Sequence, residues 1–220
     1  MLELQSLRYH PATTSEPVLA DINLTLQVGA PALVAGRSGS GKTTLLDLIS
    51  GLAGQDGGRI LWNAEALSNR QRRWLCGLVF QFPERHFLGL TVGQELRLGQ
   101  RRLPSERAAD VLRQVGLEGL SFQQVPEQLS GGQQRRLALA VQLLRNPRVL
   151  LLDEPTAGLD WTVRDEVLRL LTVLGRKRAL LVVTHEPELF AGVIDQGWRL
   201  EQGLLRPLEP MRQAFLPTMK

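Results

Sequence analysis

Gly36-Arg37-Ser38-Gly39-Ser40-Gly41-Lys42-Thr43, followed by Thr44, is the stretch on which the reading of this chain turns. It fits the pattern G-x-x-x-x-G-K-[ST] without a mismatch, and its flanks matter as much as the match. Ala32–Ala35 before it is a short apolar strand, and Leu45, Leu46, Leu48 and Ile49 after it repeat at helical spacing. A strand that runs through glycines into a helix turns successive backbone N–H groups inward, an anion-binding nest at a helix N-terminus. The pattern predicts a phosphate cradle, with the Lys42 ammonium reaching β- and γ-phosphates and the Thr43 hydroxyl on Mg²⁺. Such a site needs a second acid at the end of a neighbouring strand, and Val149–Leu152 runs into Asp153 and Glu154. Asp153 is expected to meet the metal through its coordination shell. Glu154, next in line and pointing the other way, is expected to polarise an attacking water.

Working outward, strand and helix signals alternate. Ile22, Leu24, Leu26 and Val28 alternate with polar residues, the period of a half-buried strand. Gly57-Gly58 marks a turn before Arg59–Trp62, and Cys76–Gln81 reads as another strand. Strand signals return at Arg148–Asp153 and Ala179–Thr184, on either side of a helix over Thr162–Leu174. From about Pro83 to Asn146 the pattern is helical, clearest over Ser105–Val115 and Gln133–Arg145. Val193–Leu205 reads as a hairpin turning at Gln202-Gly203, and the residues beyond, with Pro207, Pro210 and Pro217, as a loose tail. Apolar strands alternating with helices imply an α/β fold whose mainly parallel sheet is covered on both faces. The predicted organisation is one domain over 1–205, with a core of 1–82 and 147–205, a helical subdomain at about 83–146, and a tail over 206–220.

Composition bounds the function. The 220 residues are 43% hydrophobic and 22% charged, enough for one sizeable core. No apolar run approaches the roughly 20 residues of a membrane span, and Met1-Leu2-Glu3-Leu4 opens no signal segment. The single cysteine, Cys76, excludes a disulfide framework and a cysteine-based zinc site, and reads as a small buried residue at a strand start. A soluble, intracellular, globular protein is the expectation. Of 26 Lys plus Arg, only Lys42, Lys177 and Lys220 are lysine. The compact Lys42 ammonium suits a phosphate cradle better than arginine's planar fork. The basic clusters Arg70/Arg72/Arg73, Arg101/Arg102 and Arg176/Lys177/Arg178 are interspersed with apolar or acidic residues, so no nucleic-acid partner is expected. They suit solubility, acidic lipid headgroups or the loops of a partner.

Leu129-Ser130-Gly131-Gly132-Gln133 narrows the reading. Ser130 is placed as a helix N-cap before two glycines that leave backbone N–H groups uncovered, a second anion-binding helix terminus in one chain. The string resembles the signature motif of ABC ATPases, and the other marks of that family are present in order. Tyr9 resembles the aromatic that stacks on adenine, with strand packing as the plainer alternative. Gln81 is similar to the Q-loop glutamine, Ala157-Gly158-Leu159-Asp160 to the D-loop, and His185 in Val183-Thr184-His185-Glu186 to the switch histidine. The resemblance covers about residues 1–205. It implies a P-loop NTPase core with an N-terminal antiparallel β part and an inserted helical signature subdomain, hydrolysing ATP with Mg²⁺. Implied nucleotide contacts are Tyr9, Gly36, Arg37, Ser38, Gly39, Ser40, Gly41, Lys42, Thr43 and Thr44. Ser130, Gly131, Gly132, Gln133 and Asp160 are implied to act in trans, in a head-to-tail homodimer or heterodimer. Thr43, Gln81 and Asp153 are implied around the metal; Glu154, His185, Gln81 and Lys42 are implied in catalysis. Arg135 and Arg136, on the same helix as Ser130, read as solvated or structural rather than catalytic.

Val79-Phe80-Gln81-Phe82-Pro83-Glu84, with Phe87-Leu88 and Thr91-Val92 after it, resembles the Q-loop region of energy-coupling-factor transporter ATPases, which power the import of vitamins and transition-metal ions. That resemblance implies a transmembrane scaffold subunit gripped through the Gln81–Val92 region, and a location in the cytoplasm on the inner face of a cell or organelle membrane. The apolar residues Phe82, Phe87, Leu88 and Leu90 then form part of a groove for a coupling helix, or else pack within the helical insertion. The competing expectations are a soluble ABC ATPase, for example in iron–sulfur assembly, the ATPase of another transporter class, and a stand-alone P-loop kinase or GTPase. The last has no use for Leu129–Gln133 and Asp160.

Overall fold

Four strands are buried at every position: β3 (Ala32–Ala35), β6 (Cys76–Val79), β7 (Val149–Asp153) and β8 (Ala179–Thr184). The structure, a computed structural model, describes residues 1–194 and 196–208. Alternate side chains of the central strands serve two cores. Leu33, Leu150, Leu152, Leu180 and Val182 join one apolar cluster, while Val34, Val149, Leu151, Leu181 and Val183 join the other. Both faces of the sheet are covered, which is why these runs show no polar alternation. Helix α1 (Lys42–Ser50) lays Leu45, Leu46, Leu48 and Ile49 into one cluster; α5 (Gly131–Leu144) and α6 (Trp161–Gly175) pack into the other. Each fully buried Val or Leu side chain contributes roughly 1.5–3 kcal/mol.

An antiparallel part precedes and flanks these strands. β1 (Leu2–Tyr9) lies between β2 (Leu19–Leu26) and β4 (Gly57–Trp62), and β4 pairs with the short β5 (Glu65–Ala66). The closing hairpin, β9 (Gln196–Glu201) and β10 (Leu204–Pro207), runs parallel to β3 through β9 and meets β2 through Leu204 and Asp21. The full strand order is β5-β4-β1-β2-β10-β9-β3-β8-β7-β6. The expected α/β fold, with a mainly parallel core and an N-terminal antiparallel part, is observed. Helix α2 (Asn69–Leu75) precedes β6; α3 (Val92–Arg97), α4 (Ser105–Gln114) and α5 come after it, before the chain returns to β7.

Several boundaries differ from expectation: Gly57-Gly58, expected as a turn, opens β4 with Gly57 paired to Arg8, and the hairpin expected from Val193 has its first strand from Gln196. The strand expected over Cys76–Gln81 stops at Val79, opposite Leu152, and a 3₁₀ turn opens at Pro83, so Gln81 lies past the paired residues. Pairing at the other end runs past residue 205, with Arg206 opposite Arg199 and Pro207 opposite Trp198. Residues 209–220 of the expected tail, Pro210 and Pro217 among them, lie outside the described residues. Register sets the neighbours at the strand ends: Ala35 sits beside Thr184, and Asp153 beside Val183. The C-terminal ends of β3, β7 and β8 therefore release Gly36, Glu154 and His185 next to one another.

Candidate active site

The turn after β3 is anchored at both ends. The Gly36 N–H donates to the Thr184 carbonyl at 3.1 Å, and the Ser40 N–H to the Arg37 carbonyl at 3.1 Å. A Cβ at Gly36 would stand 2.5 Å from Ser40 Oγ, so only glycine lets the loop close on itself. Gly41, at φ +100°, caps α1 without a side-chain hydrogen bond, which leaves the helix N-terminus open. Arg37, Ser38 and Gly39 are exposed along the loop, Ser40 and Thr44 half-buried. Ser40 Oγ is buried with no hydrogen-bond partner among the described residues, an orphaned polar group beside an uncapped helix start. These are the properties of a phosphate cradle.

Lys42 is buried and folds back over the loop. Its Nζ donates to the Gly36 carbonyl at 2.8 Å and the Arg37 carbonyl at 3.1 Å, and stands 3.7 Å from Glu154 Oε1. Thr43 Oγ1 donates to Asp153 Oδ2 at 2.7 Å. Burial pushes the Asp153 carboxyl above the ordinary carboxylate range; the Thr43 hydrogen bond opposes the push, the Glu154 charge adds to it, and Lys42 opposes it. Asp47, one turn along α1 from Thr43, is raised too, by burial and then by the Asp153 charge. An ionised Asp153 thus gains from a cation beside it. The Thr43 hydroxyl and the Asp153 carboxylate could hold a hard cation such as Mg²⁺, which keeps water and phosphate oxygens around it.

Glu154 leaves β7 at φ +45°, a left-handed conformation uncommon for a residue with a side chain. Its carboxylate is buried and enclosed by donors. Thr184 Oγ1 donates to Oε2 at 2.9 Å and the His185 N–H to Oε2 at 3.3 Å, while His185 Nδ1 stands 2.8 Å from Oε1. The His185 side chain is 48% exposed, so its other edge faces outward. Lys42, Thr43, Asp153, Glu154 and His185 thus meet in one constellation. Thr184, buried at the end of β8, is a member that sequence reasoning did not single out, although it stands next to His185. Tyr9 ends β1 opposite Leu19, half-buried; neighbouring Val18 packs where a Cβ at Gly41 would come within 2.8 Å.

The remaining candidates stand apart. Ser130 caps α5 with a reciprocal capping box: its Oγ accepts from the Gln133 N–H at 3.3 Å, and Gln133 Oε1 accepts from the Ser130 N–H at 2.9 Å. Gly131 has open space around it, whereas a Cβ at Gly132 would overlap Val163 Cγ1. The glycines therefore differ in role: one bares the backbone, the other lets α5 meet α6. Asp160 is the exposed N-cap residue of α6, beside the exposed Trp161. Among the described residues no hydrogen bond or ion pair joins 130–133 or Asp160 to Gly36–Thr44, nor the Gln81 side chain to Thr43 or Asp153. Arg135, expected to be solvated or structural, is buried, and Cys76 is buried at the start of β6 with its thiol pushed up to about 12 by burial.

Fold and site together define a P-loop nucleotide-binding domain with a helical insertion. A family model described as ABC transporter matches residues 19–157. Among curated relatives, ABC transporter I family member 11, chloroplastic, of Arabidopsis thaliana is 37% identical, over 92% of this chain and 78% of its own. An energy-coupling factor transporter ATP-binding protein EcfA2 of Acetivibrio thermocellus is 33% identical, over 91% and 75%. A lipoprotein-releasing system ATP-binding protein LolD 1 of Chlorobium luteolum is 32% identical, over 92% and 93%. Among solved structures, cbiO1 of Clostridium perfringens, part of the cbiONQ ABC transporter complex, superposes with TM-score 0.84 at 28% identity, over 93% of this chain and 86% of its own. The dimeric structure of a bacterial ABC transporter cassette gives 0.83 at 26%, over 97% and 100%. The chain belongs to the ABC transporter family, as an ATP-binding and ATP-hydrolysing subunit. No helix among the described residues is long and apolar enough to cross a membrane.

Proposed function

We propose that this chain powers an energy-coupling-factor-type importer of a vitamin or transition-metal ion, as one of two ATPases paired head to tail on a transmembrane subunit. It would work peripherally, on the cytoplasmic face of the membrane. The similarity to EcfA2 and cbiO1 supports the class. Leu88 and Leu90, 80% and 76% exposed in the Gln81–Val92 region, support an apolar docking contact there. The LolD similarity favours a second reading, in which the same cassette serves another transporter class.

The observation that carries the ATPase part is the enclosure of Glu154 by His185, Thr184 and Lys42. ATP would lie along Gly36–Thr44, with adenine toward Tyr9. Lys42 would exchange the Gly36 and Arg37 carbonyls for β- and γ-phosphate oxygens, and Ser40 Oγ would gain a partner. Thr43 and Asp153 would hold Mg²⁺, with Gln81 expected to join them, and the ion would supply charge neutralisation on the phosphates. Glu154 would accept a proton from the attacking water, held in place by Thr184 and His185. With Nδ1 turned toward Glu154, His185 would reach the γ-phosphate through Nε2. Ser130, Gly131, Gly132, Gln133 and Asp160 would complete the site of the partner subunit, where α5's capped N-terminus meets the γ-phosphate.

The test uses tagged chain purified from detergent-solubilised membranes. Wild type should hydrolyse ATP and bring down an integral membrane subunit. Glu154→Gln should lose turnover, by about 10²-fold or more, and accumulate an ATP-stabilised dimer visible by size-exclusion chromatography. Normal turnover in that variant removes Glu154 from the mechanism; recovery without any membrane subunit removes the transporter assignment.

A further inference from the structure

On the second turn of α5, Arg135 is 5% exposed, and its guanidinium is surrounded by backbone carbonyls from outside its own helix. Nη1 donates to Pro155 O at 3.0 Å and to Ala157 O at 2.9 Å. Nη2 donates to Gln81 O at 2.9 Å. One carbonyl belongs to the segment that leaves β6, and two to the turn just after Glu154. The same helix is capped, one turn earlier, by Ser130. Three segments placed around the nucleotide therefore converge on a single side chain. Removing a buried guanidinium from three carbonyls leaves each of them short of a donor, and its planar fork fixes the angles between them. The neighbouring Arg136 makes different contacts: it bonds the Gly132 and Gly116 carbonyls and pairs with Glu166 of α6 at 3.3 Å.

We infer that Arg135 is a positioning residue for ATP hydrolysis, locking the Gln81 segment, the Pro155–Ala157 turn and the Ser130 helix into one mechanical unit. It acts through these backbones. Pro155 comes directly after Glu154, so its carbonyl sets where the Glu154 side chain starts. A shift of the Gln81 segment, imposed from the Gln81–Val92 surface, then reaches both Glu154 and Ser130 through one guanidinium. The inference rests on the ATPase reading above.

Arg135→Gln and Arg135→Lys test it, with ATP turnover, ATP affinity and amide hydrogen exchange measured on the full chain. Arg135→Gln should lower kcat about 10–100-fold, the scale of a small misplacement of catalytic groups, while leaving ATP affinity unchanged. Exchange should rise together at residues 80–83, 155–158 and the start of α5. Arg135→Lys keeps the charge but not the fork, and should recover part of kcat and part of the protection. Wild-type kcat in Arg135→Gln, or faster exchange confined to α5, overturns the inference, as does a kcat loss that only tracks a loss of folded protein. If Arg135→Gln does not fold, Arg135→Lys decides by the same measurements. Wild-type protein without ATPase activity would count against the ATPase reading instead, and exchange would still report the linkage.

Discussion

Gly131 and Gly132 are indistinguishable as letters, yet they answer to different forces. Space is open around Gly131, and the signature reading accounts for it. Gly132 is a packing residue: its missing Cβ is filled by Val163 Cγ1, on a β-branched side chain with little rotamer freedom in a helix. Gly132→Ala should therefore destabilise the fold by about 1–3 kcal/mol through overpacking, and adding Val163→Ala should return part of that loss. Denaturant unfolding of the two single variants and the double variant checks this; additive losses would exclude the contact. Residue identity makes Lys42, Thr43, Asp153, Glu154 and His185 legible, because phosphate chemistry demands those groups at strand ends and at the helix start that follows a glycine loop. It does not make Arg135 legible, since a buried arginine satisfied by distant carbonyls is spelled like a solvated one. Thr184 is hidden likewise, its part decided by the register that sets β8 beside β7.

Elements are legible where local and tertiary forces agree. β3 and β8 have the expected limits because both faces are buried, and α5 starts where Ser130 and Gln133 cap each other. β1 escapes a period-two reading because its pairing shifts between Leu4 and Leu7, with Ser6 at φ +46°. α2 is polar and short, and its one local signal is a second capping box, between Ser68 and Gln71. The α5 cap permits a separation of roles. Ser130→Asp keeps a good capping oxygen but sets a negative charge where the partner's γ-phosphate would arrive. Its melting temperature should stay near wild type while ATP-driven dimerisation is lost, as read by scanning calorimetry and light scattering. A dimer formed as readily as in wild type would exclude Ser130 from the shared site.

At the scale of the whole molecule, no hydrogen bond or ion pair among the described residues joins the cradle to the signature helix, and the proposed head-to-tail pairing would bring the two together from different copies. That arrangement predicts complementation. Lys42→Ala and Ser130→Ala variants, each inactive alone, should regain ATP turnover when mixed, because a mixed dimer holds one site with both residues intact. No activity on mixing, with mixed dimers shown to form, would exclude a shared site between copies of this chain.

The strand order carries a consequence for how the protein is made. β3 ends at Ala35, and its sheet neighbours, β8 and β9, begin only at Ala179 and Gln196. At about 5–20 residues per second of synthesis, roughly 7–30 s pass between the emergence of the phosphate loop and that of the strands that hold it. For that interval the apolar Ala32–Ala35 strand has neither edge paired, and contacts of such long sequence separation are slow to form even afterwards. The phosphate loop thus leaves the ribosome early and waits for strands that come late, which gives the nascent chain an aggregation-prone window that the finished fold conceals.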